Sequence, residues 1–161
     1  MDIPQIAYSY VPPAALQGQT GTIAPSTTAT GVAEVALDCG LFLVGGSADQ
    51  GVKLPTAAAD VTNTLRGVSL YQDVKEPIKG LPRFKVGDAV PVLRKGQVWV
   101  PVVTADVATD QIPFVVHSGG DAGKIRGTAG AGPDGTIPAA GCRVIKGAVA
   151  GGLALVEINL P

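Results

Sequence analysis

The sequence predicts an all-β protein: a small barrel or sandwich of about seven to ten short antiparallel strands, preceded by an extended N-terminal arm. Three observations predict this class. Glycine (22) and proline (13) make up about a fifth of the 161 residues, which is typical of short strands joined by turns. Short apolar runs alternate with turn residues, and no convincing amphipathic helix appears. The hydrophobic fraction of 46% is too high for a disordered chain.

Residues 1–30 are expected to form the extended arm, and residues 31–161 the β-domain. The arm region contains one charged residue, Asp2, and a cluster formed by Tyr8, Ser9 and Tyr10. No strand or helix periodicity lasts more than a few residues there. A segment of this kind cannot bury a core alone, so it stays mobile or lies on a partner.

An uncharged stretch at residues 3–33 is long enough to span a bilayer, but its composition argues against a span. Prolines interrupt it at Pro4, Pro12, Pro13 and Pro25. A spanning helix needs about 20 predominantly apolar residues, and the basic and apolar regions of a signal peptide are also missing. We therefore expect a soluble protein with no membrane partner and no export signal of the usual kind.

Short apolar runs beyond Gly31 predict a series of strands. The first four lie at residues 32–37, 41–44, 52–54 and 65–70. Residues 55–64 are expected to be a loop with room for one helical turn at 57–59. Residues 71–82 are expected to be a charged loop.

The next pattern predicts a β-hairpin. Its strands lie at residues 89–93 and 98–103. Residues 94–97 would form the connection, with Gly96 at a position that favours positive φ. Pro91 and Pro101 lie inside these runs, and a proline cannot donate to a sheet, so each is expected on an edge strand or at a bulge.

A second hairpin is predicted at the end of the chain. Its strands lie at residues 142–149 and 153–160, joined by residues 150–152 with two glycines. Both strands are apolar on both faces, which indicates either a central strand or an outer face covered by another subunit. We favour the second explanation for at least part of this surface.

One more strand is predicted between the two hairpins. It lies at residues 111–116 and is weakened by Pro113. Residues 118–135 are very rich in glycine and are expected to be loop. The total of seven to ten strands favours a small barrel or sandwich.

The charge balance argues against nucleic-acid binding. The net charge is −1, from 12 basic and 13 acidic residues. A protein that binds nucleic acid neutralises several phosphates with clustered cations. The only adjacent basic pair is Arg94 and Lys95, which the hairpin pattern places at its tip.

The single histidine, His117, is the first candidate for chemistry, since Ser118 and Asp121 follow it. A zinc site needs three or four ligands, and no second histidine exists. Neighbouring residues on a strand point to opposite faces, so Ser118 is poorly placed for a Ser–His–Asp triad. We interpret His117 as a polar residue at a strand end.

Glycine and carboxylate patterns are equally weak as site signatures. Gly119 stands four positions before Gly123, and Lys124 is followed by Ile125, so the phosphate-binding spacing is not met. Carboxylates that lie in small loops or glycine-rich turns, where aspartate is common, are Asp106, Asp110, Asp121 and Asp134. We predict no catalytic, cofactor-binding or metal site, and therefore no enzyme.

Three further residues have structural interpretations. Trp99, the only tryptophan, is expected to anchor a core or an interface rather than to stack on a ligand. Cys39 and Cys142 are too few for a disulfide scaffold and are interpreted as small buried hydrophobic residues. The sequence alone does not decide whether Cys39 and Cys142 form a disulfide bond with each other.

Taken in order, these features resemble one family, the structural cement (capsid decoration) proteins of tailed bacteriophages. The segments that carry the resemblance are residues 7–10, 18–19, 39–44, 65–70, 84–93 and 95–100, followed by a glycine-rich segment and a last hairpin. The resemblance extends over nearly the whole chain. None of these motifs is catalytic, so the resemblance is one of layout.

The resemblance implies a viral structural protein that is made in the bacterial host cytoplasm and binds the outside of the major capsid protein shell. It implies dimers or trimers at capsid symmetry axes. Two alternatives remain open. A fibre, baseplate or adhesion module would need exposed aromatic clusters, and a small hydrolase or ligand-binding β-barrel would need a pocket with converging titratable groups.

Overall fold

A computed structural model describes residues 16–21, 25–71, 83–130 and 135–161. Ten strands lie within these ranges: β1 (Thr27–Ala33), β2 (Phe42–Gly45), β3 (Gly51–Lys53), β4 (Leu65–Ser69), β5 (Ala89–Pro101), β6 (Phe114–Val116), β7 (Ile125–Arg126), β8 (Thr136–Pro138), β9 (Cys142–Lys146) and β10 (Leu153–Asn159). One short helix, α1 (Ala58–Thr64), accompanies them, with a 3₁₀ turn at Gly119–Asp121.

The first five strands close into a barrel. Their order is β1-β3-β2-β4-β5, and β5 pairs with β1 to complete the ring. Four of the five pairs are antiparallel, while β1 and β3 run parallel, with Val32 opposite Gly51. The predicted small β-barrel is therefore confirmed, with one parallel pair in a ring that we expected to be antiparallel throughout.

The first predicted hairpin is wrong, because β5 is one continuous strand of 13 residues. Its first half pairs with β1 and β4, and its second half pairs with β10. Both halves thus find partners elsewhere in the chain rather than in each other. Arg94 and Lys95 lie within this strand and not at a hairpin tip.

A bulge in the middle of β5 explains the hairpin-like pattern. Thr27 of β1 faces Lys95 and Thr28 faces Leu93, so one residue of β5 is skipped. Gly96 takes a φ of +131° beside it. A bulge shifts the alternation of side chains along a strand. Leu93 and Val98 are an odd number of positions apart, so a regular strand would point them to opposite faces. Because of the bulge, both belong to the same apolar cluster.

Pro91 lies neither on an edge strand nor at the bulge, which falls at Arg94, contrary to our expectation. Strand β5 has neighbours on both sides at this level, with Thr30 opposite Pro91 on one side. The carbonyl of Pro91 accepts a hydrogen bond from Leu70 N at 2.8 Å on the other. Leu70 lies just past the end of β4. The N–H that Pro91 lacks would therefore point to a position where the regular pairing of β4 with β5 has already ended.

The second predicted hairpin is confirmed. Strands β9 and β10 pair antiparallel, and Gly151 takes a φ of +83° in the turn between them. Strand β10 lies between β5 and β9, so it is a central strand. A second sheet of three strands, in the order β7-β6-β8, packs beside this extension.

Two apolar clusters form the core, and β2 shows how they are separated. Phe42 and Val44 belong to the larger cluster, and Leu43 between them belongs to the smaller one. Successive side chains of a strand point to opposite faces, so the smaller cluster fills the barrel. The larger cluster lies between the outside of the barrel, the β9–β10 hairpin and the three-stranded sheet.

Two predicted loops contain regular structure. Residues 58–64 form α1, in which Val61 is buried against the larger cluster and Asp60 accepts hydrogen bonds from Thr56 at the N-terminal end. Residues 118–135 contain β7, in which Ile125 is fully buried. A strand of two residues is too short to produce a detectable periodicity.

The folded part of the chain begins before residue 31, within the predicted arm. Strand β1 begins at Thr27, so the boundary expected after Thr30 falls inside a strand. Residues 16–21 also contact the sheet, with Thr20 opposite Val98. Residues 1–15 and 22–24 of the predicted arm, and residues 72–82 of the predicted charged loop, lie outside the described residues.

Candidate functional site

Residues 16–21, which we call the anchor segment, attach the N-terminal part of the chain to β5. Gly18 N donates to the carbonyl of Trp99 at 2.8 Å, and Trp99 N donates to the carbonyl of Gln19 at 3.0 Å. Gly21 N donates to the carbonyl of Gln97 at 2.8 Å. The anchor segment therefore continues along the same side of β5 that β1 occupies further along.

A close approach of backbones fixes the start of the anchor segment. Gly18 and Gly40 have φ values of +77° and +69°. A Cβ on Gly18 would stand 2.7 Å from Gly40 N, which is closer than side chains tolerate. Tyr71 N donates to the carbonyl of Gly18 at 2.9 Å. Glycine is needed at both positions because neither the space nor the φ suits another residue.

Gln17 and Cys39 exchange two hydrogen bonds beside this contact. Gln17 Nε2 donates to the carbonyl of Cys39 at 2.6 Å, and Cys39 Sγ donates to the carbonyl of Gln17 at 3.2 Å. Burial, with the negative charge of Asp38, raises the pKa of the Cys39 thiol to about 11. The thiol therefore stays protonated at neutral pH and can keep donating.

The anchor segment also contacts the outer face of β10 at one residue, Leu155. A Cβ on Gly21 would stand 2.2 Å from Leu155 Cδ1, so Gly21 lies directly on that leucine. Leu155 is buried and faces Trp99 across the strand pair. The outer face that we assigned in part to another subunit is covered, at Leu155, by the same chain.

The edge of this surface remains open to solvent. Leu16 is 42% exposed where the described chain begins. A groove of about 250 Å³ lies beside it, lined by Leu16, Gly18, Gln19, Thr20, Leu70 and Tyr71. The guanidinium of Arg83 stacks on the Tyr71 ring at 4.1 Å from its centroid, a cation–π contact that holds this aromatic ring in place.

The residues singled out around His117 lie at the end of β6. His117 N donates to the carbonyl of Gly135, and its Nδ1 is buried without a hydrogen-bond partner in the described part of the chain. Asp121 is paired with Lys124 at 2.7 Å. Within the described ranges, no three His, Cys, Asp or Glu side chains are grouped as a metal site would require.

The other candidate carboxylates form local structural contacts. Asp106 Oδ1 accepts from Ala150 N at 2.9 Å, and Asp110 pairs with Arg143 on the surface. Asp110 has a φ of +67°, a conformation that aspartate tolerates in turns. Asp134 lies outside the described residues.

The two cysteines are separate. Cys39 and Cys142 are both free and buried, and they belong to different apolar clusters. Burial raises the pKa of the Cys142 thiol to about 12. The bridge that the sequence left open does not form.

Sequence reasoning missed the anchor segment, because we assigned all of residues 1–30 to an arm. Its interactions are almost all made by backbone atoms, which leave no periodicity in the sequence. The pair Gly18 and Gln19 was the only signal, and Gly40 gave none by itself. Among the helices of the described ranges, none is long and apolar enough to cross a membrane.

Comparison with known proteins identifies one family. The family model described as "Structural cement protein (E217 gp24/Pam3 gp6)" matches residues 3–159. No curated protein gives a significant match.

Two solved structures are similar to the chain. A chain of "The capsid of Myoviridae Phage XM1" has a TM-score of 0.75 at 19% identity, and the match covers 92% of this chain and 93% of that one. "The crystal structure of head fiber gp8.5 N base in bacteriophage phi29" has a TM-score of 0.42 at 14% identity, covering 84% and 95%. At this identity, the capsid structure supports the fold of the chain.

Proposed function

Because the chain belongs to the phage structural cement protein family, whose members are non-enzymatic capsid proteins, we propose that it binds the outer surface of the capsid and stabilises the shell across the seams between subunits. The β-barrel and its extension form the body that rests on the shell. The residues before the anchor segment form an arm that reaches a neighbouring capsid subunit. Self-association into a dimer or trimer is part of the proposal.

The attachment of the anchor segment is the observation that carries this proposal. Three backbone hydrogen bonds to Gln97 and Trp99 fix residues 18–21 on β5. The 15 residues that precede Leu16 therefore start from a defined point on a rigid sheet. Fully extended, they would span about 50 Å, which exceeds the width of a domain of this size.

The composition of these 15 residues supports a role in binding. They contain Tyr8, Tyr10 and three prolines, and Asp2 is their only charged residue. Tyrosine offers a large contact area with a polar end, and proline reduces the entropy lost on ordering. A tether of this kind that orders on a partner can join surfaces that the body alone does not reach.

The test uses capsid shells that lack the protein. Full-length protein is mixed with the shells, and binding is measured by co-sedimentation together with the resistance of the shells to heat. We expect deletion of residues 2–15 to abolish most binding, while the melting temperature of the free protein changes by only a few degrees. The deletion stops at residue 15 because residues 16–21 and 27–30 belong to the folded body.

A matched control keeps the arm length and removes its chemistry. In this variant residues 2–15 are replaced by a glycine–serine sequence of equal length, which behaves as a flexible coil. We expect it to bind shells as weakly as the deletion does. Failure of the wild-type chain to bind or stabilise shells would contradict the proposed function, and undiminished binding by the deletion would contradict the role of the arm.

A further inference from the structure

Strand β1 is paired on both sides over only part of its length. Val32 pairs with β3 as well as with β5, and Ala33 pairs with β3. Within the part of the chain that the structure describes, the preceding residues, Thr27–Gly31, pair with β5 alone, because β3 begins only at Gly51. The barrel is therefore open along one seam, between the first half of β1 and the turn that leads into β3.

The direction of the backbone N–H and C=O groups of β1 shows which of them point into this seam. Ala33 N donates to Asp88 O on the β5 side, whereas Val32 N donates to Gln50 O on the β3 side, each at 2.9 Å. Groups of successive residues alternate between the two sides of a strand. The N–H and C=O of Thr28 and Thr30 therefore point to the β3 side, where the described ranges give them no hydrogen-bond partner.

Nothing in these residues protects the edge from pairing. The side chains of Thr27, Thr28, Ala29 and Thr30 are all exposed. Edge strands are usually blunted by lysine, proline or inward-pointing charges, and none is present here. Threonine has high strand propensity. The edge thus has the features of a site for an added strand.

A small crevice lies beside this edge and carries positive charge. It has a volume of about 110 Å³ and is walled by Thr30 and Gly31 on one side and by Gln50 on the other. Arg66 and Arg94 line it, opposed by one carboxylate, Asp49. Arg94 Nε is buried without a hydrogen-bond acceptor in the described part of the chain. The charges favour an occupant that brings a carboxylate.

We propose that the Thr27–Gly31 edge binds an extended segment of the capsid shell protein, which adds as a strand beside β1 and places an acidic side chain near Arg66 and Arg94. Main-chain hydrogen bonds to Thr28 and Thr30 supply affinity, and the crevice selects the acidic residue. This inference rests on the proposed function and names the surface that performs it.

A pair of substitutions at one position tests the main-chain contact. Thr30→Pro removes the N–H that points to the open side and leaves the bonds between β1 and β5 in place, as proline at an edge allows. Thr30→Val keeps that N–H and the shape of the side chain. We expect Thr30→Pro to weaken shell binding at least tenfold, and Thr30→Val to bind like the wild type, in the co-sedimentation assay.

The acidic contact is tested with Arg66. We expect Arg66→Glu to weaken shell binding more than Arg66→Lys does, with the difference shrinking as salt is added. Equal binding by both variants at low salt would overturn the acidic contact. Arg94 is unsuitable for this test, because its guanidinium also contacts the carbonyl of Pro161.

Hydrogen exchange on the wild-type chain keeps the proposal falsifiable even where Thr30→Pro folds poorly. We expect peptides covering residues 27–31 to become protected when the protein binds shells. If wild-type protein binds shells while this edge stays unprotected and Thr30→Pro binds normally, the edge proposal fails and the proposed function stands. Protection that appears in shell-free protein at high concentration, with a larger native mass, would assign the edge to a second copy instead and overturn the shell segment as occupant.

Discussion

Gly18 and Gly40 pack backbone against backbone, with 2.7 Å between Gly40 N and the position that a Cβ on Gly18 would occupy. The contact joins the start of the anchor segment to the loop before β2. Each glycine has positive φ, so the contact depends on both the missing side chain and the left-handed conformation. Substitution at this point tests how firmly the anchor segment is held.

We expect Gly18→Ala to lower the free energy of unfolding by about 2–4 kcal/mol, since it adds left-handed strain to a steric clash. The measurement is urea denaturation. Gly151→Ala is the matched control, because Gly151 has a similar φ of +83° but nothing within 4 Å of the added Cβ. It should cost about 1–2 kcal/mol from strain alone. Equal losses would show that the contact with Gly40 is unimportant.

The Cys39 thiol should report detachment of the anchor segment. In the native protein it is buried and donates to the carbonyl of Gln17, and its pKa is raised to about 11, so it should react slowly with disulfide reagents at neutral pH. We expect Gly18→Ala to speed labelling of Cys39 while Cys142 stays protected in the other apolar cluster. Peptide mass spectrometry after timed labelling distinguishes the two sites. Parallel acceleration at both cysteines would indicate global unfolding instead.

Glu34 should make stability depend on pH. Its carboxylate accepts from Ala48 N at 2.8 Å and from Ser47 N and Oγ at 2.9 Å each. These bonds, with that of Ala48 first, lower the pKa of Glu34 below its ordinary value of 4.5. Their contribution is fully present above the pKa of the unfolded chain, and it is lost as pH falls through the lower pKa of the folded state.

The measurement compares the wild type with Glu34→Gln in urea denaturation between about pH 7 and about pH 3. We expect the wild type to be more stable at neutral pH, and the difference to shrink as the pH falls below about 4.5. Glu157→Gln is the control, because it removes one charge from an exposed position of β10. A constant difference between wild type and Glu34→Gln across this range would contradict the assignment.

The parts of the fold that could be predicted depend on residues that are neighbours in sequence, whereas the parts that could not depend on residues that are far apart in sequence. The β9–β10 hairpin was predictable because Gly151 and its neighbours determine the turn by themselves. The pattern around Gly96 looks equally local, yet β5 runs straight through it. There the outcome depends on β1 and β10, which lie far away in sequence and supply partners to the two halves of the strand.

The surfaces were harder to predict than the strands. The anchor segment and the open edge at Thr28 and Thr30 are defined by where backbone groups point, and side-chain patterns do not record that direction. The expectation that the chain has no catalytic cluster rests on composition, since one histidine and few paired carboxylates limit the available chemistry. That expectation stays a prediction.

Gly67 should be the least replaceable glycine of the barrel. Its φ is +142°, a region that only glycine enters readily. A Cβ there would stand 2.1 Å from the carbonyl oxygen of Leu93, which belongs to the backbone of β5 and cannot rotate away. We expect Gly67→Ala to lower the free energy of unfolding by about 3 kcal/mol or more, because β4 must separate from β5.

Gly120→Ala is the control, because a Cβ on Gly120 would have nothing within 4 Å. It should change the free energy of unfolding by less than about 0.5 kcal/mol. A small effect of Gly67→Ala would mean that β4 shifts without loss, and amide exchange at Val68, which pairs with Leu93, would then reveal the altered register.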